Sequence, residues 1–194
     1  MTKKDILFNG IKVGSLNVTG NTLEEAKTVQ RILKEKGLLK EISTHSSIYN
    51  QANCFAKVAN DLYQNDLKIS PLNAISIAPF IVNATFSIEL YFKAIHNAYG
   101  NKIKGHHLTS LYKDMPVEGK QHFLNAANDI RNHYHLNNGV NIHTCLESLN
   151  KAFENWRYMY EYNTLSLELQ SIRYLMHTAH ETYCRVKENI VPVS

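Results

Sequence analysis

The sequence predicts an all-α protein, a helical bundle of six or seven helices with a small N-terminal β-hairpin. Three observations predict it. From residue 46 onward apolar residues recur at three- and four-residue steps in segment after segment, the period of a helix and not of a strand. Only residues 5–19 read as strand, about Asn9-Gly10, the pair favoured in a two-residue hairpin turn. Glycine or proline stands where most of the periodic segments stop, as helix ends require.

Taken in order, the hairpin ILF and IKVGSLNV is too small to be stable alone and must pack on helices or on another chain. Thr22 and Glu25 have the spacing of a capping box with Thr22 as the cap. Leu23, Ala26, Val29 and Leu33 give the next helix a narrow buried face, and Gly37 ends it. Ile48, Ala52, Phe55, Ala59 and Leu62 predict a helix over 46–63, and residues 64–70 are polar enough for a loop.

The central element is the helix over residues 80–99. Ile81, Ala84, Ile88, Tyr91, Ile95 and Ala98, widened by Val82, Phe86 and Leu90, give it the broad apolar face of a helix inside a bundle. Asn83, Ser87, Glu89, Lys93, His96 and Asn97 form its polar strip, where Glu89 and Lys93 have the spacing and order of an ion pair. Gly100 stops it. Its start is expected near Ser70-Pro71, with Ser70 as cap and Pro71 at the first position; Pro79 then marks a kink, or else the first turn of a shorter helix.

Beyond it, residues 100–105 form a loop with Lys102 and Lys104, and 107–114 a short helix closed by Pro116. Phe123, Ala127, Ile130 and Tyr134 mark another helix, ending at Asn137-Asn138-Gly139. Ile142, Leu146, Leu149, Phe153, Trp156 and Tyr160 mark the next, and Leu165, Leu169, Ile172, Met176, Ala179, Tyr183 and Val186 the last. One domain over 1–194 is expected: a hairpin appendage at 1–20, N-terminal helices at 21–70 and a helical core at 71–190.

With 21 Lys and Arg against 17 Asp and Glu, the formal net charge is +4, and ten histidines add to it in acid. That basicity suits a polyanion partner without demanding one. Cys54, Cys145 and Cys184 are odd in number, far apart and without a CxxC pair, which supports neither a disulfide framework nor a zinc ribbon and fits a reducing cytoplasm. Neither a signal peptide nor a membrane span is expected, because no run of about 18 uninterrupted apolar residues exists. Gly-rich phosphate loops, GxSxG and HExxH are absent from the sequence.

Three arginine–histidine or arginine–aromatic arrangements carry candidate chemistry. Arg131 with His135 closes a helix; a histidine moves protons near neutral pH and an arginine stabilises a charged phosphorane, so the pair has the groups for metal-free RNA cleavage. A polar helix C-terminus is the commoner meaning of such residues. Arg157 and Tyr158, in Trp156–Tyr162, combine charge with stacking surface, though such clusters are more often the edge of a core. Arg173, His177, His180, Cys184 and Lys187 lie in a row at helical spacing, with Arg173 and His180 two turns apart on one face. A solvated border of the bundle is the commoner meaning. A metal site built from His133, His135, His106, His107 and His143 lacks the carboxylate or thiolate that usually completes one, and none is expected.

The segment Asn83-Ala84-Thr85-Phe86-Ser87-Ile88-Glu89-Leu90-Tyr91-Phe92-Lys93-Ala94-Ile95, followed by Gly105-His106-His107-Leu108 and Leu111-Tyr112, resembles the HEPN superfamily. There a helix with an E-L-x-x-K-A core precedes a G-H-x-L turn and a short helix. Trp156-Arg157-Tyr158-Met159-Tyr160-Glu161 is similar to a W-R-Y-x-Y-E segment of some uncharacterised members. The resemblance covers residues 78–162 and leaves out the hairpin and the first two helices. It implies an HEPN-like bundle, commonly a homodimer, with RNA as the typical substrate; active members are metal-independent ribonucleases of toxin–antitoxin and antiviral systems.

Their motif is an arginine, often followed by a polar residue, with a histidine after four to six residues. This chain departs from it. Arg131-Asn132 has the polar neighbour, but His135 comes after three residues. Arg157 meets Tyr162, Asn163 and Thr164 at the required places. Arg173 and His180 have six residues between them, with Tyr174 as the less usual neighbour. With the R-x(4-6)-H motif degenerate, the resemblance implies a cytoplasmic, non-catalytic RNA- or protein-binding module of a prokaryotic defence or toxin–antitoxin-type system. The alternative is a metal-independent endoribonuclease acting as a dimer through Arg173 and His180 or through Arg131 and His135. Arg157, Tyr158, Lys102 and Lys104 are the expected substrate-binding residues, and no cofactor is expected.

Overall fold

In the computed structural model, Asn9 and Gly10 both take positive φ, 49° and 79°, the backbone that a tight turn between twisted strands needs. The structure describes residues 2–39, 42–134, 141–155 and 168–190, with side chains up to 150 in the third stretch. The chain divides into two compact units, Met1–Ile42 and Ser43–Ser194. The expected single domain placed both N-terminal helices in one segment; here the first lies with the hairpin and the second with the bundle.

In the first unit, β1 (Lys3–Phe8) and β2 (Ile11–Asn17) pair antiparallel, Phe8 opposite Ile11 and Lys3 opposite Asn17, with a slip between Ile6 and Leu7. Helix α1 spans Thr22–Glu35. Its cap is Asn21, not Thr22: the Asn21 side chain accepts from the N–H groups of Leu23 and Glu24. The extended backbone a cap needs falls on Asn21, at φ −100° and ψ 99°, while Thr22 is already helical. Glu25 still reaches back, accepting from the backbone of Thr19 at 2.7 Å and Gly20 at 3.0 Å. Leu23 and Ala26, expected inside, are exposed. The ribbon meets α1 lower down, where the Gly14 backbone lies so close that a Cβ there would sit 3.0 Å from Ile32 Cγ2.

In the second unit, α2 (Thr44–Leu62) starts with the Ser43 side chain accepting from Ser46 N–H. It does not give way to a loop at residue 64. The chain makes one wide helical turn, Tyr63–Leu67, because Tyr63 and Leu67 are apolar enough to stay buried. Helix α3 (Ile77–Ala98) follows a single tight turn at Ala74–Ser76. Its start is thus six residues later than Pro71. Asn73 is extended and its side chain caps that tight turn by accepting from Ile75 N–H, and Pro79 falls in the first turn, where a missing N–H costs nothing. At the other end Gly100 has φ 79°, and the N–H groups of Gly100 and Asn101 bond to the carbonyls of Asn97 and His96, which satisfies the last free carbonyls of the helix.

Helices α4 (Leu108–Lys113), α5 (Val117–Arg131, with a tight turn at Asn132–Tyr134), α6 (Ile142–Asn155) and α7 (Leu169–Asn189) complete seven helices among the described residues. Helix α3 is the axis: it packs on α2 and α7, with α4 and α6 also against it and α5 against α7. Phe80, Ile81, Ala84, Ile88, Tyr91, Phe92 and Ile95 are essentially inaccessible. The segment Ala74–Ala98 is long and apolar enough to cross a membrane, at a mean hydropathy of 1.4, and more than half of that apolar window is buried in the bundle.

The expected polar strip of α3 is largely inside. Ser87, Glu89 and His96 are buried, each with a partner that makes burial tolerable. Ser87 donates to the Ala84 carbonyl at 2.7 Å. Glu89 accepts from Lys93 at 2.7 Å, the predicted pair, and from His106 Nδ1 at 3.0 Å. His96 donates through Nε2 to the Leu111 carbonyl at 2.9 Å. The turn before α4 and α4 itself are therefore tied to α3 by two of its side chains, Glu89 and His96, two helical turns apart.

Candidate functional site

Helices α2 and α7 both pack on α3 and line a cleft of about 580 Å³, within the usual range for ligand sites. One wall carries Asn53, Ala56, Lys57 and Asn60 of α2 and Gln64 of the wide turn that continues it. Its α7 wall carries Arg173, Met176, His177 and His180. Tyr91 of α3 forms the floor, and Tyr134, just past the end of α5, forms the rim. The steps between the α2 polar residues and between Arg173, His177 and His180 are three and four residues, so one face of each helix supplies its wall.

Arg173 is held in place before any ligand arrives. Its guanidinium lies 4.0 Å from the centre of the Tyr63 ring and 5.4 Å from that of Tyr134, a cation–π arrangement. Nη1 donates to Gln170 Oε1 at 3.1 Å, and Gln170 in turn donates to the Tyr63 hydroxyl at 2.7 Å. A planar charge fixed by two rings and an amide loses little freedom on meeting an anion.

The two histidines of the α7 wall are held differently. His177 Nδ1 is 3.2 Å from the Tyr134 hydroxyl, and its Nε2 makes no hydrogen bond among the described residues. His180 Nε2 is 2.8 Å from the Tyr49 hydroxyl, which also lies 3.4 Å from Cys184 Sγ. Burial pushes the Tyr49 phenol up to about 12, so it keeps its proton at neutral pH. Either its O–H donates to Nε2, or Nε2–H donates to its oxygen while the O–H turns to sulfur; in both cases Nε2 of His180 is occupied. Tyr49 is itself fixed, stacked on Tyr183 at 4.1 Å between centroids.

Loss of hydration also sets the protonation of the pair. His180 is held below the ordinary histidine range first by burial and then by the neighbouring charge of His177, with Glu181 opposing. His177 is lowered first by desolvation against its neighbours, although its outer edge is exposed; Glu181 opposes, and His133 and Arg173 add to the lowering. Both rings are thus mostly neutral at pH 7, each an uncharged donor and acceptor next to a permanent cation. Tyr91, at the floor, donates to Asn53 Oδ1 at 2.7 Å.

Among the described residues no carboxylate lines the cleft. Asp61 is not among the lining residues, but it pairs one turn along α2 with Lys57, which is. The lining therefore attracts anions, offers amides and tyrosine hydroxyls for hydrogen bonds, and has two imidazoles for proton transfer. No three His, Cys, Asp or Glu side chains among the described residues stand close enough together to share a metal ion. His106 is engaged with Glu89, and His143 lies 3.7 Å from Glu147.

The sequence-derived residues are distributed as follows. Arg173 and His180 both line the cleft. Arg131, at the end of α5, is half-buried beside Tyr174, whose hydroxyl donates to the Ala127 carbonyl; its expected partner His135 lies outside the described residues. Arg157 and Tyr158 lie outside them as well. Lys102 and Lys104 are exposed on the loop between α3 and α4 and do not line the cleft.

The residues that sequence reasoning missed are Tyr49, Asn53, Lys57 and Asn60 of α2, Tyr63 and Gln64 of the wide turn after it, and Tyr134. A signal for the α2 wall was present: Asn53, Lys57, Asn60 and Gln64 form a polar row at helical spacing beside an apolar one. Comparison of the chain with protein-family models, with curated proteins and with solved structures found no match.

Proposed function

We propose that the cleft between α2 and α7 binds single-stranded RNA, and that the chain is a cytoplasmic HEPN-like module of a prokaryotic defence or toxin–antitoxin-type system that works as a homodimer. The observation that carries this reading is the lining itself. Among the described residues a guanidinium clamped by tyrosines, a lysine paired with Asp61 and two histidines stand without a lining carboxylate, over a floor and rim of tyrosine. Phosphodiesters need the first set and unstacked bases use the second. Asn60 and Gln64 add amides of the kind that read base edges and ribose hydroxyls. The resemblance of residues 78–162 to HEPN proteins points to the same polymer.

The test is a titration of a labelled single-stranded RNA into the protein at several salt concentrations. Saturable binding whose logarithm falls linearly with that of the salt is expected, with a slope of roughly −0.7 for each phosphate contacted. Arg173→Ala should weaken binding about tenfold or more, and Arg173→Lys should recover only part of it, since a lysine keeps the charge and loses the fork. Binding that ignores Arg173 removes the cleft from the reading. A stoichiometric protein that co-purifies while RNA does not bind replaces RNA with a protein partner.

A second reading, metal-independent cleavage of that RNA, is favoured by one observation: Arg173, His177 and His180 share the cleft, so a phosphate-binding cation and two proton carriers meet at one place. In that reading a neutral imidazole takes the ribose 2′-hydroxyl proton, the 2′-oxygen attacks the adjacent phosphorus, and a proton returns to the departing 5′-oxygen. Cleavage in EDTA should be lost in His180→Ala or His177→Ala. Cleavage that persists in both and disappears in His135→Ala assigns the chemistry to the Arg131 end of α5.

A further inference from the structure

We propose that His177 is the proton-linked anchor of the cleft: a phosphodiester bound beside Arg173 is gripped by the protonated His177 ring, so that binding takes up one proton, whereas His180 stays neutral as a positioning residue. This rests on the reading of the cleft as an RNA site.

The two histidines differ in which atoms are available. Among the described residues His177 Nε2 makes no hydrogen bond, while Tyr134 steadies its Nδ1 side. His180 has Nε2 committed to Tyr49, and through it to Cys184, a chain already satisfied without a charge on the ring. Protonation of His177 costs little geometry: Nδ1–H then donates to the Tyr134 oxygen, and Nε2–H points at an anion. Protonation of His180 would restrict its bond with Tyr49 to the one in which Nε2–H donates, and would place the charge on the more buried of the two rings.

Charge placement supplies the coupling. Arg173 is one turn before His177 on α7, and like charges at that spacing repel. The other groups facing His177 are His180 and Glu181 on α7, His133 and Tyr134 past the end of α5, Lys57 on α2 and Tyr91 on α3. Among the described residues all but Glu181 are cationic or neutral, Lys57 being offset by Asp61, so Arg173 and His133 leave the empty cleft disfavouring a further proton. An anion between Arg173 and His177 reverses that balance and raises the affinity of His177 for its proton. By linkage, the same anion then binds more tightly as the pH falls. Arg173 supplies the permanent charge and His177 the conditional one.

The experiment uses the full chain and an oligouridylate of about eight nucleotides with a 5′-hydroxyl end, because neither phosphodiester nor uracil titrates between about pH 5.5 and 8. Isothermal titration in buffers of different ionisation enthalpy counts the protons taken up. Uptake approaching one proton is expected where the pH lies between the free and bound values of His177. There the affinity weakens up to about tenfold per pH unit. His177→Gln should abolish the uptake and flatten the pH profile; the exposed edge of His177 lets glutamine replace it without disturbing the core, and a thermal melt checks this. His180→Gln should keep the uptake. Uptake that survives in His177→Gln, or that vanishes in His180→Gln alone, overturns the assignment. RNA binding without proton uptake overturns it while leaving the RNA site intact. Failure of the RNA to bind removes both.

Discussion

The hydroxyl of Tyr49 lies 2.8 Å from Nε2 of His180, a tie from α2 to α7 behind the cleft-lining face of His180. Tyr49→Phe keeps the ring stacked on Tyr183 and removes this bond together with the hydroxyl's contacts to Cys184 and Asn53. The expected loss is about 1 kcal/mol of stability, read from the urea midpoint. The nitrogen-15 shifts of the His180 ring should change with it, because the partner that selects its tautomer has gone. A variant equal to the parent in both would show that the tie contributes nothing.

Stability should fall as the solution is made mildly acidic. His45, His177 and His180 are each lowered from the ordinary value, in every case first by burial; Lys187 adds to the effect at His45, whose Nδ1 is 2.8 Å from the Tyr183 hydroxyl. In that situation the unfolded chain binds more protons than the native one. Stability is therefore full above the unfolded histidine value of about 6.5 and is lost as the pH drops through it toward the native values. Unfolding in urea at about pH 7.5 and pH 5.5 checks the sign. A midpoint that rises on acidification contradicts it, and His180→Gln should reduce the difference.

Helix α4 has no side-chain cap of its own; its first N–H, on Leu108, donates to Asn150 Oδ1 of α6 at 2.7 Å, and Asn150 Nδ2 donates to Thr109 Oγ1 at 3.0 Å. A side chain from another helix thus does the work that a serine or aspartate usually does locally. Asn150→Ala should cost roughly 1–2 kcal/mol. Asn150→Asp keeps the acceptor and should recover most of it. Hydrogen exchange at Leu108 is the direct readout, and equal protection in the alanine variant and the parent would dismiss the cap.

How much of this was legible depended on whether the determinant was local. The apolar stripe of α3 and its Gly100 stop are properties of one segment, and both appear as expected. So does the row Arg173, His177 and His180, because helical spacing alone puts it on one face. What faces that row is not local. A period of 3.6 residues says that Asn53, Lys57 and Asn60 share a side of α2, and nothing about which helix lies opposite. The buried Glu89 was misjudged for a related reason: residue type predicts exposure unless a partner is known, and His106 reaches it from 17 positions away. The Asn21 cap was a near miss between two competent neighbours, decided by backbone angles that no residue type announces.

Gly119, in the first turn of α5, is the position where two local rules disagree. Helix propensity favours alanine over glycine by up to about 1 kcal/mol. Packing opposes it: a Cβ at Gly119 would lie 3.1 Å from Met115 Cγ and 3.3 Å from Ile95 Cγ2. Met115 has a flexible thioether that could shift. Ile95 is fully buried on α3, β-branched, and held to one rotamer by its helix, so it cannot. Overpacking of this kind costs roughly 1–3 kcal/mol, and the propensity gain is smaller at a first turn than in a helix interior. Gly119→Ala should therefore destabilise the bundle by about 1 kcal/mol. In a Met115→Ala background one of the two clashes is gone, so the same substitution should cost less, and the double-mutant cycle should return a clear coupling between the two sites. A stabilised Gly119→Ala protein would mean that α5 moves away from α3 more readily than its contacts indicate.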